Sequence, residues 1–315
     1  MKRVLSFILA LGMLFSLAAC SGAERRARVQ IVTTCFPIYD WTRNIVGDTE
    51  GVEIVWLMDS GVDPHSFQPT VKDLTTVSDA DLFVYVGGES EAWANDAAAE
   101  MKNPDAKALA LLSELDLALE EEAVPGAEQA DEEPGALDEH IWMSLRAAAR
   151  SVDLICEALC GIDSANDDVY RMNAEDYTAQ LNALDQAYGD AVASSELDTI
   201  LVADRFPFRY LAEDYGLKYY AAFAGCSAET EASFQTVLGL SQEVDTLGLP
   251  VILVTENGTG DIAEAVSEGS QTAPAVRTLD SLQSVTAEIA ADGVTYLSVM
   301  ESNLEVLKEA LVWHS

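Results

Sequence analysis

The chain is poor in positive charge and in histidine. Its 315 residues include 17 lysines and arginines against 54 aspartates and glutamates, a formal net charge of −37 at pH 7. Such an acidic surface repels nucleic acid and anionic lipid headgroups, so we expect no nucleic-acid partner. Only three histidines are present, so a site built on imidazole must draw on a few positions.

Long apolar runs are missing beyond the N-terminus, which excludes a later membrane-spanning helix. Residues 1–19 combine a basic start with an apolar run, and this pattern predicts a secretory signal peptide. The run ends in Leu-Ala-Ala-Cys, which resembles the bacterial lipobox and implies lipid attachment at Cys20. We therefore expect residues 20–28 to be a lipidated tether, the protein to lie outside the cytoplasm, and the lipid to be its only membrane contact. Ordinary cleavage beside an incidental cysteine is the alternative.

Strand-like and helix-like stretches alternate twice along the chain, which predicts an α/β fold with parallel sheets. We assign residues 29–166 to an N-terminal lobe and residues 193–315 to a C-terminal lobe. Residues 167–192 are amphipathic and predict one long connecting helix. Residues 118–139 are rich in Asp, Glu, Pro and Gly, which predicts an acidic loop inserted in the N-terminal lobe. Ligands of such folds bind in the cleft at the carboxyl ends of the strands.

Four cysteines follow Cys20, namely Cys35, Cys156, Cys160 and Cys226. Cys156 and Cys160 lie four residues apart in a predicted helix and therefore share one of its faces. The pair is either an intrahelical disulfide, which places strict demands on geometry, or two free buried thiols. Both states remain open, because connectivity does not follow from spacing alone.

Two of the histidines stand in distinctive surroundings. His65 lies in the stretch Asp-Pro-His-Ser-Phe, in a loop after a predicted strand, and His140 lies in Asp-Glu-His-Ile-Trp-Met-Ser, where the acidic loop meets a helix. Each follows an acidic residue that can orient its ring, and neutral imidazole is the commonest nitrogen ligand of divalent metals. His314 is the penultimate residue and is expected to fray. His65 and His140 are therefore the candidate metal ligands.

The chain resembles the zinc- and manganese-binding lipoproteins of ABC importers in these two stretches. The resemblance to this family extends to two further stretches, Thr33-Thr34-Cys35-Phe36-Pro37-Ile38-Tyr39-Asp40 and Leu279-Asp280-Ser281-Leu282. The similarity covers nearly the whole chain after the signal peptide. It implies two pseudo-symmetric lobes joined by one backbone helix, with a metal in the interlobe cleft. It also implies the ligands His65, His140 and Asp280, and the membrane permease of an ABC importer as partner. We expect a monomer.

One position departs from this family. The family's third ligand stands in ligand-x-x-Phe-x-Tyr, and here that stretch is Arg-Phe-Pro-Phe-Arg-Tyr, beginning at Arg205. A guanidinium stays protonated and has no lone pair for a metal. Either water completes a site of three protein ligands, or a nearby group is recruited, or Arg205 pairs with Asp280 or Glu256 and neutralises acid near the metal. The candidates for recruitment, as a ligand or in support of one, are Asp204, Cys226, Glu229, Glu231 and Glu256.

These features predict capture of a divalent metal and its delivery to a permease, without catalysis. Two histidines, a carboxylate and nearby sulfur favour Zn²⁺, with Mn²⁺ as the alternative because it accepts more oxygen ligands. A secreted metal-dependent hydrolase is a second alternative, although neither His-Glu-x-x-His nor Gly-x-Ser-x-Gly occurs in the sequence. A surface adhesin is a third, since related lipoproteins displayed outside the cell have been viewed as adhesins.

Overall fold

The structure is a computed structural model that describes residues 29–117, 119, 125–126, 137–225 and 231–314. The predicted signal peptide, the tether and Cys20 lie outside these residues, as does most of the predicted acidic loop. Within the described ranges, no helix has the length and apolar character needed to cross a membrane.

Two four-stranded parallel sheets carry the fold. The first contains β1 (Val29–Thr33), β2 (Val52–Trp56), β3 (Leu82–Tyr85) and β4 (Lys107–Ala110), in the order β2-β1-β3-β4. The second contains β5 (Thr199–Arg205), β6 (Lys218–Phe223), β7 (Val251–Val254) and β8 (Ala275–Thr278), in the order β6-β5-β7-β8. The two sheets share one strand order, so the predicted pair of pseudo-symmetric parallel lobes is confirmed.

Helices connect the strands, and one long helix joins the two lobes. The first lobe has α1 (Phe36–Val46), α2 (Val71–Ser78), α3 (Ala92–Ala99), α4 (Leu111–Glu114) and α5 (Leu145–Ile162). The joining helix is α6 (Asp167–Ala193). The second lobe has α7 (Arg209–Tyr215), α8 (Phe234–Leu247), α9 (Asp261–Gly269), α10 (Ala287–Ala291) and α11 (Tyr296–Ala310). Short 3₁₀ turns cover Pro64–Ser66 and Ile141–Met143.

One apolar core runs through both lobes and the joining helix. It contains Trp41 of the first lobe, Tyr170 and Tyr188 of α6, and Phe208 of the second lobe, all fully buried. A smaller apolar cluster packs on the opposite face of each sheet. Because α6 belongs to the same core as both sheets, the two lobes share one interior and are not merely joined by a loose linker.

Asp40 connects three helices inside this core. Its side chain on α1 is fully buried and pairs with Arg43 one turn later. The Asp40 carboxylate also accepts hydrogen bonds from the Tyr177 hydroxyl of α6, at 3.3 Å, and from the backbone N–H of Tyr296 at the start of α11, at 3.1 Å. Burial raises the pKa of Asp40 above its usual value, although Arg43 opposes the change.

A turn of the acidic insertion lies against the second sheet. The backbone N–H of Ala221, in the outer strand β6, donates to the carbonyl of Pro125 at 3.2 Å. Gly126 follows with a φ of +87°, and a Cβ there would lie 2.9 Å from a methyl carbon of Leu240. Only glycine combines that backbone conformation with such a close approach.

The described cysteines carry free thiols. Cys35, Cys156 and Cys160 are buried and unpaired, and the Sγ atoms of the latter two lie 4.0 Å apart. Of the two states predicted for Cys156 and Cys160, the structure has the free thiols. Cys226 lies outside the described residues.

Candidate metal site

His65 is held on the short turn that follows β2. The Oδ1 atom of Asp63 caps this turn and accepts a hydrogen bond from the backbone N–H of His65 at 3.0 Å. The ring Nδ1 lies 2.6 Å from the hydroxyl oxygen of Ser90, in the loop after β3. The carboxyl ends of parallel strands meet at one edge of a sheet, so the two loops come together there.

His140 is fully buried beside the second lobe. One oxygen of Asp138 accepts from the backbone N–H of His140 at 2.8 Å and lies 3.0 Å from the ring Nδ1. The hydroxyl of Tyr210, on α7, donates to the Asp138 carbonyl at 3.0 Å and so ties this segment to the other lobe. Donation of the Nδ1 proton to a carboxylate leaves Nε2 as the atom that binds a metal.

The two rings face each other through these Nε2 atoms, which lie 3.3 Å apart. The ring centroids are 5.3 Å apart and the planes are inclined by 52°. Two Zn–N bonds of about 2.0–2.1 Å that meet at a tetrahedral angle separate their nitrogens by about 3.3–3.4 Å. The spacing of the pair therefore suits one zinc ion bound to both rings.

The protonation state of His65 also suits a ligand. Burial, followed by the charge on His140, lowers the pKa of His65 to about 4. Arg205 acts in the same direction, whereas Asp63 and Asp138 oppose it. A ring with this pKa is neutral at physiological pH, and only a neutral ring offers a lone pair.

Gly88 allows the two histidine loops to pack closely. Glu139, next to His140, accepts a hydrogen bond from the backbone N–H of Ser90 at 2.9 Å. Gly88 has a φ of +88°, and a Cβ there would overlap the Glu139 carboxylate at 2.4 Å. Any side chain at position 88 would therefore push the Glu139 segment away from Ser90.

Asp280 lies in the loop after β8, in the second lobe. Burial and the nearby Glu256 raise the pKa of Asp280 to about 6, although Oδ1 accepts from the backbone N–H of Leu282 at 2.7 Å. The indole N–H of Trp142, two residues after His140, donates to the carbonyl of Ser281 at 2.8 Å. The loop that carries Asp280 is thus tied to the His140 segment.

The three predicted ligands do not all converge. Across the described ranges, no three His, Cys, Asp or Glu side chains form a group that would hold a metal. His65 and His140 come together, but Asp280 does not join them in such a group. Its role as the third ligand stays a prediction.

Arg205 pairs with Asp63 rather than with Asp280 or Glu256. A guanidinium nitrogen of Arg205, at the end of β5, lies 3.0 Å from the Asp63 Oδ2. Asp63 also caps the His65 turn, so this ion pair crosses the cleft from the second lobe to the first histidine. Of the three alternatives for Arg205, pairing with Asp280 or Glu256 is not the arrangement seen, because its guanidinium pairs with a carboxylate of the opposite lobe.

The other candidates for recruitment have different surroundings. Asp204 accepts from the hydroxyl and backbone N–H of Thr255, at 2.6 and 3.2 Å, and so connects β5 to the loop after β7. Glu256 accepts from the backbone N–H groups of Ser281 and Gln283, at 2.7 and 3.0 Å, and shapes the Asp280 loop. Glu231 is exposed. Cys226 and Glu229 lie outside the described residues.

Sequence reasoning missed three contacts of this site. Ser90 binds the His65 ring, Tyr210 positions Asp138, and Asp63 joins Arg205. Ser90 could have been predicted from the sequence, because it closely follows the buried strand β3 and the carboxyl ends of the strands face the cleft. The other two contacts cross between lobes, and no local pattern encodes them.

Comparisons with known proteins identify the family of this chain. The model of one protein family, zinc-uptake complex component A, periplasmic, matches residues 31–310. The zinc-binding lipoprotein AdcA of Streptococcus pneumoniae is 30% identical over 317 residues, which cover 98% of this chain and 61% of AdcA. The high-affinity zinc uptake system protein ZnuA of Bacillus subtilis is 29% identical over 304 residues, covering 94% of this chain and 93% of ZnuA. The chain thus spans about three fifths of the length of AdcA.

Solved structures show the same fold. The Zn(II)-bound ZnuA-like domain of Streptococcus pneumoniae AdcA matches with a TM-score of 0.72 at 27% identity, over 90% of this chain and 98% of that domain. The laminin-binding protein Lmb of Streptococcus agalactiae, described as bifunctional with adhesin and metal-transporting activity, matches with a TM-score of 0.72 at 26% identity. That match covers 90% of this chain and 99% of Lmb.

Proposed function

The chain belongs to the family of periplasmic zinc-uptake components, and from this premise we propose that it captures zinc outside the cytoplasm and delivers it to the permease of an ABC importer. The observation that carries the proposal is the facing pair of Nε2 atoms, 3.3 Å apart, on His65 and His140. This spacing matches two corners of a zinc tetrahedron. Transport rather than catalysis is the role of this family's members, and we propose the same here.

We propose that Asp280 supplies the third ligand and that water supplies the fourth. Burial and the nearby Glu256 disfavour the ionised form of Asp280 and raise its pKa to about 6. A divalent cation stabilises that form, so metal entry favours approach of the Asp280 loop to the histidines. Zinc is preferred to manganese because four ligands of nitrogen and oxygen satisfy it. We further propose that the protein is a monomer anchored by a lipid on Cys20.

Removal of either histidine tests the site. We expect His65→Ala and His140→Ala each to abolish stoichiometric zinc binding, measured by calorimetry on the metal-free protein, because one imidazole alone does not hold the ion. His314→Ala is the matched control, because His314 is exposed and its ring Nε2 lies 2.8 Å from a carboxylate oxygen of Glu196. Retention of one tightly bound zinc by the His65→Ala/His140→Ala double variant would show that the ion is held elsewhere.

Asp280→Asn tests the third ligand separately. The amide preserves the shape of the side chain but offers no charge, so we expect weaker zinc binding at unchanged stoichiometry. Affinity equal to that of the wild type would remove Asp280 from the proposed ligand set while leaving the histidine pair intact.

Adhesion is a second candidate function, favoured by the likeness to Lmb over nearly the full length of that protein. We propose that an exposed face of the lobes also binds laminin. Saturable binding of the purified chain to immobilised laminin, retained in the His65→Ala variant, supports a role independent of the metal. Absence of saturable binding leaves transport as the sole proposed function.

A further inference from the structure

We propose a second metal site, formed by Cys156 and Cys160 in the groove between α5 and α6, that takes a thiophilic monovalent cation such as Cu(I). The two cysteines lie on one face of α5, away from the loops that carry the histidines. The site uses sulfur alone, whereas the histidine site uses nitrogen and oxygen. The two sites therefore select cations of different character.

The distance between the sulfurs suits a shared ion. The Sγ atoms lie 4.0 Å apart. Two metal–sulfur bonds of about 2.3 Å each reach a sulfur–sulfur separation of up to about 4.6 Å, so one ion between the atoms contacts both. A disulfide requires a separation of about 2.05 Å, and the sulfurs would have to approach by about half of the present distance. The separation is that of two thiols in contact; it accommodates a bridging ion and is too long for a disulfide.

A groove reaches Cys156, one member of this pair. It has a volume of about 510 Å³ and is lined by Cys156 together with Asp153, Glu157, Arg171 and Glu175. Three of these four neighbours are acidic, so the groove attracts cations. Cys35 differs, because it lies at the start of α1 and does not line this groove.

The local charges fit the product of binding. A monovalent cation held by two thiolates carries a net charge of −1, and Arg171 lies close enough to act electrostatically on both sulfurs. Arg171 also pairs with Asp167, and Asp167 hydrogen-bonds with the Cys160 thiol. The Asp167 carboxylate thus accepts a hydrogen bond from the Cys160 thiol in the metal-free protein.

Binding is an exchange of protons for metal without electron transfer. Two S–H bonds break, two sulfur–metal bonds form, two protons pass to water, and the copper stays Cu(I). Burial raises the pKa of the Cys160 thiol to about 12 and that of Cys156 above its usual value, so only a strongly thiophilic ion displaces these protons.

The number of available donors decides between copper and zinc. Structural zinc sites take four ligands. Within the described parts of the chain, no third His, Cys, Asp or Glu side chain joins the two cysteines in a metal-holding group. Soft thiolates select Cu(I), which is satisfied by fewer ligands than zinc requires.

Competition with a chromophoric Cu(I) chelator tests the proposal. The full-length protein, reduced and kept free of oxygen, is titrated with Cu(I). We expect Cys156→Ser and Cys160→Ser each to lose one equivalent of tightly bound Cu(I). Cys35→Ser and Cys226→Ser are the matched controls and retain it, as does the His65→Ala/His140→Ala variant that loses zinc.

Two results would overturn the proposal. One is equal Cu(I) stoichiometry in the wild type, Cys156→Ser and Cys160→Ser. The other is a wild-type chain in which Cys156 and Cys160 resist reduction as a disulfide under conditions that reduce small disulfides. Zinc titration of Cys156→Ser keeps the two sites distinguishable, because its zinc binding is expected to equal that of the wild type.

Discussion

Arg205 places a positive charge beside a pair of histidines proposed to bind a dication. The charge opposes metal entry, and it also helps to lower the pKa of His65. Its ion pair with Asp63 offsets part of this effect, because the carboxylate lies between the guanidinium and the His65 turn. Arg205 therefore weakens zinc binding, and through its ion pair with Asp63 it also fixes the position of His65.

Replacement of Arg205 by histidine tests this balance. We expect Arg205→His to raise zinc affinity by on the order of tenfold or more, because it removes a like charge and adds an imidazole at the family's third ligand position. Competition with a zinc chelator of known affinity measures the change.

Arg205→Gln is the matched control, because it removes the charge without adding a ligand. Equal affinities of Arg205→His and Arg205→Gln would assign the whole gain to charge. A zinc affinity of Arg205→His below that of the wild type would show that the ion pair with Asp63 contributes more to zinc binding than either the removed charge or the added imidazole.

The residues of the site differ in how far sequence predicts them. His65 and His140 were predictable because each stands in a distinctive local stretch, and the structure brings their rings together. Partners such as Tyr210 and Asp63 depend on the distance between loops of different lobes. That distance follows from packing of the whole core and leaves no trace in local spacing.

Helices α1, α6 and α11 meet at one carboxylate. We expect Asp40→Ala to lower the free energy of unfolding by about 3 kcal/mol, since it leaves the buried Tyr177 hydroxyl and Tyr296 N–H without their acceptor. Denaturant unfolding measures the change. Asp198→Ala is the control, because its ion pair with Lys218 is exposed and such pairs contribute less than about 1 kcal/mol.

The loop from β3 to α3 contains a buried acid that makes stability depend on pH. Glu91 is 1% exposed and accepts from the backbone N–H of Gly87 at 2.9 Å, yet burial raises its pKa to about 7. The folded state thus holds this proton more tightly than the unfolded state. The stabilisation is complete below the ordinary value of 4.5 and is lost as pH rises through about 7.

We therefore expect Glu91→Gln to remove this part of the pH dependence. At pH 8 the variant should exceed the wild type in unfolding free energy by up to about 3 kcal/mol, from the size of the pKa change. Thermal unfolding of both proteins from pH 4.5 to 8 measures it. Parallel curves for the two proteins over that range would contradict the assignment to Glu91.

Not every element was predictable. The strand β4 has the sequence Lys-Ala-Leu-Ala, which lacks β-branched and aromatic residues, and it escaped prediction. It is an edge strand formed through its pairing with β3. The helix expected directly after His140 is preceded by a 3₁₀ turn, and α5 itself starts at Leu145, where Ser144 caps it by accepting from the Ala147 N–H.

The architecture of the whole molecule follows from patterns that repeat along the chain. Two alternations of strands and helices predicted two parallel lobes, and an amphipathic stretch predicted the joining helix. The core common to both lobes could not be predicted from the sequence, because amphipathic periodicity shows which face of a helix is buried and not which element covers that face. In the structure, Tyr188 of α6 and Tyr215 of α7 stack with centroids 5.2 Å apart, so the joining helix packs against the second lobe.

The net charge of −37 acts on the molecule as a whole. Like charges repel one another in the compact state, and salt screens them over about 10 Å at 0.1 M and about 3 Å at 1 M. We expect the melting temperature to rise as sodium chloride increases from 0.05 to 1 M. Sucrose at matched osmolality is the control for effects that do not involve charge. A melting temperature that falls with salt would show that ion pairs outweigh the repulsion.

The hydrogen bond from Ala221 to Pro125 has a consequence for assembly. Strand β6 is the outer strand of its sheet, and an uncovered strand edge templates the addition of strands from other molecules. The turn at Pro125 occupies one of the N–H groups that such addition requires. The Pro125 turn therefore blocks part of the edge to which a strand from a second copy of the chain would add.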